Sequence, residues 1–214
     1  MPKSIIKEIL ENNEQYHDKV QWDLIKQGQS PKITLVTCSD SRVSGHIFGK
    51  DLVNFVFHVR NIGNQIVNNF GSVDYGIHHL KTPILMILGH TDCGAIKASQ
   101  KDFSSETTEI KKELYPLYFN LRIGVKEAKS EADKITKLVQ LNVDVQVNEA
   151  LKRYGTEHTF IVGAIFDIHN HYGSKEGKVI ITNINGITDE QKLKEHPLLS
   201  ALTKEMLNAR VKRL

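Results

Sequence analysis

Short apolar runs crowded with Val, Ile and Leu recur along the chain at residues 32–38 (KITLVTC), 54–59 (NFVFHV), 83–88 (PILMIL), 159–166 (TFIVGAIF) and 179–184 (VIITNI). Each is too short for a core helix, and near-continuous apolar runs of this length mark strands covered on both faces. Longer polar and amphipathic stretches separate the first four. Strands alternating with helices imply an α/β fold with a mostly parallel central sheet flanked by helices. Only the loop 167–177 lies between the last two runs, so they are expected to pair as a hairpin with one antiparallel edge strand.

The helical segments are read from spacing and caps. Residues 4–25 read as one helix, with Ser4 as N-cap and Ile5, Ile6 and Leu10 on its apolar face; Gln27-Gly28-Gln29-Ser30-Pro31 then breaks it. Residues 71–80 read as a second helix, and Gly94 opens a third. The charged segment 103–134 reads as helices and loops on the outside. Leu138, Leu141 and Val145 lie at helical spacing and are expected to face the core. A last helix is expected from Pro197, with Leu198, Leu202 and Met206 as its stripe and Arg210, Lys212 and Arg213 complementing its dipole. Residues 1–214 then form a single domain, in which 1–30 are an N-terminal helical arm and 187–214 a C-terminal helical tail.

Composition narrows the class. With 40% hydrophobic and 25% charged residues, the 214-residue chain can bury one core of ordinary size. Its 28 basic residues against 25 acidic ones leave a net charge of +3, too balanced for a protein that grips phosphate backbones. No nucleic-acid partner is expected. No apolar run approaches the ~20 residues of a membrane span. The start, MPKSIIKEILENNEQY, is acidic and interrupted, unlike a signal peptide, so a cytoplasmic protein is expected. Neither G-x-G-x-x-G nor a P-loop occurs, which argues against a nucleotide site.

Two of the strand runs end in chemically loaded residues. The first gives Cys38-Ser39-Asp40-Ser41-Arg42, the third His90-Thr91-Asp92-Cys93-Gly94. In an open α/β sheet, ligands bind at the carboxyl ends of neighbouring strands. If these strands are neighbours, Cys38, His90 and Cys93 converge. Two thiolates and an imidazole are a zinc ligand set, and three protein ligands with a fourth position left over mark a catalytic rather than a structural site. Asp40 either closes that position as a fourth ligand or is held back by a bidentate pair with Arg42. Held back and ionised, it can orient a water made acidic by zinc. The backbone N–H of Gly94, at the start of a helix, can also face the site.

In this order, C-S-D-S-R-V, R-N-I-G-N, S-V-D-Y-G and G-H-T-D-C-G resemble the β-class carbonic anhydrases, over a stretch from about Asn12 to about Gly186. GAIFDIHNHYG is similar to the family's G-x-x-Y-D-x-x-x-G strand and turn, with Phe166 where Tyr is usual. The resemblance implies one zinc per subunit on Cys38, His90 and Cys93, with Asp40 and Arg42 as the catalytic dyad. It implies reversible hydration of CO₂ to bicarbonate and a proton by a zinc-bound hydroxide.

G-Q-S-P-K before the first strand resembles the plant-type branch. That likeness implies a substrate hydrogen bond from Gln29 and a CO₂ pocket lined by Phe57, Ile62 and Tyr75. The pocket is shared between subunits, hence a homodimer or a larger homo-oligomer. It also places His79 where proton transfer occurs; His169 and His171 are rival shuttles, read as solvated surface histidines. Some bacterial members hold bicarbonate with a Trp three residues before the first ligand. Leu35 stands there, and the chain's Trp is Trp22, so the water-bound form with Asp40 off the metal is expected. The alternatives are a carbon disulfide or carbonyl sulfide hydrolase on the same fold, whose members carry C-M-D-x-R and R-N-A-G-G, and a zinc-binding protein without catalysis.

Overall fold

The structure, a computed structural model, describes residues 2–17, 22–49, 54–125 and 127–214. It falls into two units, residues 1–30 and 31–214. In the first, α1 (Pro2–His17) and α2 (Trp22–Lys26) are helical where a helix was expected over 4–25, and residues 18–21 of that expectation lie outside the described residues. Ser4 sits inside α1 rather than at its cap. Ile5, Ile6, Ile9 and Leu10 are all exposed, and Tyr16 meets Trp22 edge-on with ring centroids 6.4 Å apart.

The second unit is built on a sheet of β1 (Ile33–Cys38), β2 (Val56–Asn61), β3 (Ile84–His90), β4 (Phe160–Asp167) and β5 (Lys178–Ile184), in the order β2-β1-β3-β4-β5. The first four run parallel, and β5 pairs antiparallel with β4, as the short 167–177 connection requires. Every residue of β1 is buried, which is why its sequence is apolar without alternation. Between the strands lie α3 (Phe70–Asp74), continuing into a wider π-helical turn at Tyr75–His79, then α4 (Gly94–Ser99), α5 (Thr108–Leu121) and α6 (Glu131–Tyr154). The segment expected on the outside in fact contributes to the core: α5 buries Leu114, Leu117 and Leu121.

The 24-residue α6 is capped by Ser130, whose side chain accepts from Asp133 N, and carries Glu131 and Asp133 in its first turn and Lys152 and Arg153 in its last. Its buried apolar stripe is Ile135, Leu138, Val139, Val143, Val147 and Ala150. Leu138 faces the core as expected and half-buried Leu141 packs against it, while Val145 is half-buried outside the core cluster. Val143 settles over the bare backbone of Gly89 and Gly163, where an added Cβ would lie 2.9 and 2.8 Å from its methyls. Thr136, Gln140, Asn142 and Gln146 share the buried side. Each grips a different partner: Thr136 bonds His171, Gln140 accepts from Tyr172 Oη and Leu214 N, Asn142 donates to Gly63 O, and Gln146 accepts from Ile66 N.

The tail also departs from expectation. After α7 (Glu190–Lys194), Pro197–Leu199 makes only a 3₁₀ turn. The chain restarts as α8 (Lys204–Arg210) behind Thr203, whose hydroxyl accepts from Met206 N. That cap interrupts the single helix expected from Pro197, and Met206 is 46% exposed. Leu193, Leu199 and Val211 are the buried residues, packed with Leu198, Leu202 and Leu207 beside Ile184. Of the basic end, Arg210 lies in the last turn of α8, where a cation complements the dipole, and it also donates to Val179 O; Arg213, beyond the helix, forms a bidentate pair with Asp144 at 2.8 and 2.7 Å. Among the described residues no helix is long and apolar enough to cross a membrane.

Gly89→Ala should therefore destabilise the fold by about 1–3 kcal/mol through overpacking against Val143 and Val139. The shift of the urea unfolding midpoint at constant slope measures it.

Candidate metal centre

Because β1 and β3 are adjacent and parallel, with Thr37 opposite Leu88, their carboxyl ends deliver Cys38 and His90 to the same place. Asp92, in a left-handed conformation (φ 63°), turns the chain so that Cys93 follows as the N-cap of α4. One ligand atom from each of Cys38, His90 and Cys93 lies within 4.8 Å of the others. The sulfurs are 4.0 Å apart, and both cysteines are free. The three residues are 6%, 0% and 1% exposed.

The donor chemistry fits a metal ion. His90 Nδ1 lies 3.0 Å from the Thr91 carbonyl, which can only accept, so the ring proton sits on Nδ1. Nε2 is left with its lone pair, buried and without a hydrogen-bond partner among the described residues. The Cys38 thiol is acidified, first by the neighbouring Cys93 thiol and then by His90 and the backbone N–H groups of Gly63 and Asp40, against the opposing effect of burial. Cys93 is pushed up by Cys38 and by burial. A sulfur poised to ionise, a second thiol beside it and an imidazole lone pair, all out of water, form a set that a borderline-soft divalent cation would satisfy.

Asp40 is not part of this ligand cluster. Arg42 Nε donates to its Oδ1 at 3.0 Å and Nη2 to its Oδ2 at 2.8 Å, and the Arg42 backbone N–H adds a third bond at 2.9 Å. The Arg42 guanidinium holds the Asp40 carboxyl well below the usual carboxylate range. Asp40 Oδ2 lies 3.7 Å from His90 Nε2, so a fixed negative charge flanks the ligands. Arg42 Nη1 also reaches Asp92 Oδ2 at 3.1 Å, and Lys97 pairs with the other Asp92 oxygen.

Of the remaining residues singled out from sequence, Phe57, Tyr75 and His79 form a row, with ring centroids 5.9 Å apart for Phe57–Tyr75 and 4.5 Å for Tyr75–His79. Tyr75 is 44% and Ile62 37% exposed. Gly94 is the exposed first residue of α4, with open space where a Cβ would stand. Gln29 lies in the exposed loop that ends the first unit. His169 and His171 are not merely solvated: His169 Nδ1 bonds Thr91 Oγ1 at 3.2 Å, and His171 Nδ1 bonds Thr136 Oγ1.

Arg60 is the residue that sequence reasoning passed over. From the end of β2 its guanidinium donates to the carbonyls of Cys38 (3.2 and 3.1 Å), Asp40 (2.9 Å) and Val43 (2.7 Å). It clamps the whole loop that carries Cys38, Asp40 and Arg42. The available signal was a charged side chain closing an otherwise apolar run. Arg60→Lys keeps the charge but cannot span three carbonyls, and should cost about 1.5–3 kcal/mol of stability in a denaturant titration.

The chain matches the carbonic anhydrase family over residues 33–179, more than half its length. It is 38% identical over 76 residues to a carbonic anhydrase of Mycolicibacterium smegmatis, a stretch covering 35% of this chain and 37% of that protein. With the carbonic anhydrase of Emericella nidulans it shares 26% identity over 177 residues, 77% of this chain and 75% of that one. It is similar in fold to a crystal structure of tetrameric β-carbonic anhydrases from Sordaria macrospora, with a TM-score of 0.69 at 23% identity over 84% of this chain and 96% of that one. The aligned stretch thus spans little more than a third of the Mycolicibacterium protein, while the fold likeness spans nearly all of the Sordaria chain. With the matched region enclosing both cysteines, His90, Asp40 and Arg42, this chain belongs to the β-carbonic anhydrase family.

Proposed function

We propose that the chain catalyses the reversible hydration of CO₂ to bicarbonate and a proton, with one zinc ion held by Cys38, His90 and Cys93. The observation that carries this reading is the buried three-residue ligand set beside an Asp40 that Arg42 keeps to itself. Zinc in such a site supplies Lewis acidity sufficient for water to ionise near neutral pH. Asp40, kept ionised by Arg42, accepts a hydrogen bond from the attacking water through its carboxylate and orients it. The twin Arg42 bonds stop Asp40 from swinging onto the ligands. His90, fixed by its Nδ1–H bond to Thr91 O, keeps Nε2 turned inward.

CO₂ is linear and without a net dipole, so an apolar surface suits it. Phe57, Ile62 and Tyr75 are proposed to supply that surface, Gln29 and the Gly94 N–H to hold substrate oxygens, and His79 to pass the proton outward. The exposure of Tyr75 and Ile62 in one chain supports a pocket completed by a second copy, in a homodimer or larger homo-oligomer of the plant-type branch. The relatives from Sordaria macrospora are tetrameric. A cytoplasmic location is proposed with it.

Stopped-flow hydration with a pH indicator between about pH 6 and 9, on protein assayed for zinc, tests this reading. Fast hydration that depends on zinc supports it. Asp40→Asn should keep its zinc and lose roughly 100- to 10,000-fold in turnover. Cys93→Ala should lose the metal itself. Full zinc occupancy without CO₂ hydration at any pH would overturn the proposal and turn attention to carbon disulfide and carbonyl sulfide.

A further inference from the structure

Thr91 stands between the metal centre and a turn on the far side of the sheet end. It is fully buried, and each of its polar atoms is engaged. Its carbonyl accepts from His90 Nδ1 at 3.0 Å. Its N–H donates to Phe166 O at 3.1 Å. Its hydroxyl accepts from Ile168 N at 2.9 Å and lies 3.2 Å from His169 Nδ1. Having accepted from Ile168, the hydroxyl has its own proton to give to His169.

The turn that offers Ile168 and His169 is itself built on a buried carboxylate. Asp167 is fully buried and accepts from His171 N at 3.0 Å and Tyr172 N at 2.9 Å, while its carbonyl accepts from Gly177 N at 2.7 Å. His171 is then pinned to Thr136 of α6. Backbone and side chain of Thr91 are therefore fixed to β4 and its following turn, and the one group of Thr91 left to act toward the centre is the carbonyl that selects the His90 tautomer. Hydrogen bonds to a ligand's second ring nitrogen orient the ring and raise its basicity.

We propose that Thr91 is a positioning residue of the metal centre, and that the histidine-bearing turn after β4 acts on His90 through it, with exposed His169 as the outermost member. The proposal rests on the metal-binding part of the function proposed above and not on CO₂ hydration. Losing the Thr91 hydroxyl removes one of the two anchors of Thr91 and leaves its N–H bond to Phe166 O as the other, so the carbonyl that holds His90 Nδ1–H is less firmly placed and the imidazole samples a wider range of orientations.

The test is zinc affinity by chelator competition, together with the visible absorption spectrum of the cobalt-substituted protein, for the full chain and its Thr91→Val, Thr91→Ser and His169→Phe variants. Thr91→Val, nearly isosteric, should bind zinc about 10- to 100-fold more weakly and shift the cobalt bands. Thr91→Ser should restore both to near the starting values, which a merely space-filling role would not do. His169→Phe, at an exposed position, should weaken zinc in the same direction by a smaller factor. If Thr91→Val does not fold, His169→Phe decides.

Zinc affinity within twofold and unchanged cobalt bands in Thr91→Val, or in His169→Phe where that variant decides, would overturn the positioning role while leaving the proposed hydration untouched. Weakened zinc binding in a chain that binds zinc but never hydrates CO₂ would sustain the positioning role and overturn the hydration.

Discussion

The parallel register of β1 on β3 is the constraint on which the rest of the molecule depends. Ile33 faces Ile84 and Thr37 faces Leu88, so the two strands run out together and Cys38 and His90 arrive at one level. A slip of one residue would turn each strand's side chains to the opposite face of the sheet. Both strands lie in the middle of the sheet, between β2 and β4, where neighbours on each side hold that register. The ligand set is thus a by-product of strand pairing, and the loops only finish what the sheet has begun.

What the loops must finish is electrostatic. Bringing an acidified thiol, a second thiol and an imidazole lone pair together out of water is unfavourable unless something cationic answers them. Within the protein the answer is partial. Gly63 and Asp40 N–H groups face Cys38, while the Arg42 charge is spent on Asp40 and Asp92. Arg60 spends its donors on carbonyls of the loop itself. Neither guanidinium neutralises the sulfurs directly, and that balance leaves room for a cation.

Much of this was legible in the sequence, for identifiable reasons. Buried parallel strands write themselves as continuous apolar runs, and the short 167–177 connection revealed the antiparallel edge. The convergence of Cys38, His90 and Cys93 followed from their places at strand ends. Arg60 was not legible in the same way, because its partners are main-chain carbonyls of a distant segment, and main-chain groups leave no mark in a sequence; the partners of Thr91 lie partly on the turn after β4, which only the fold brings beside it. The face of α6 was misread at Val145 because its buried side is partly polar, which a search for apolar spacing penalises. The last helix was misread because Thr203, an inconspicuous cap, outweighed an apolar stripe that would have run straight through it.

The polar residues on the buried face of α6 give that helix a mechanical meaning. Thr136 holds the turn after β4, Gln140 Leu214 and Tyr172, Asn142 the Gly63 peptide, and Gln146 the Ile66 amide. Segments remote from each other in sequence are keyed to one rigid rod, like tumblers on a single spindle. Turning the rod by one residue would release all of them at once, since each grip has one azimuth. Two of these grips lie beside the centre, on the Gly63 residue whose N–H faces Cys38 and on the turn after β4 that meets Thr91, so the helix fixes the surroundings of the ligands as well as the core.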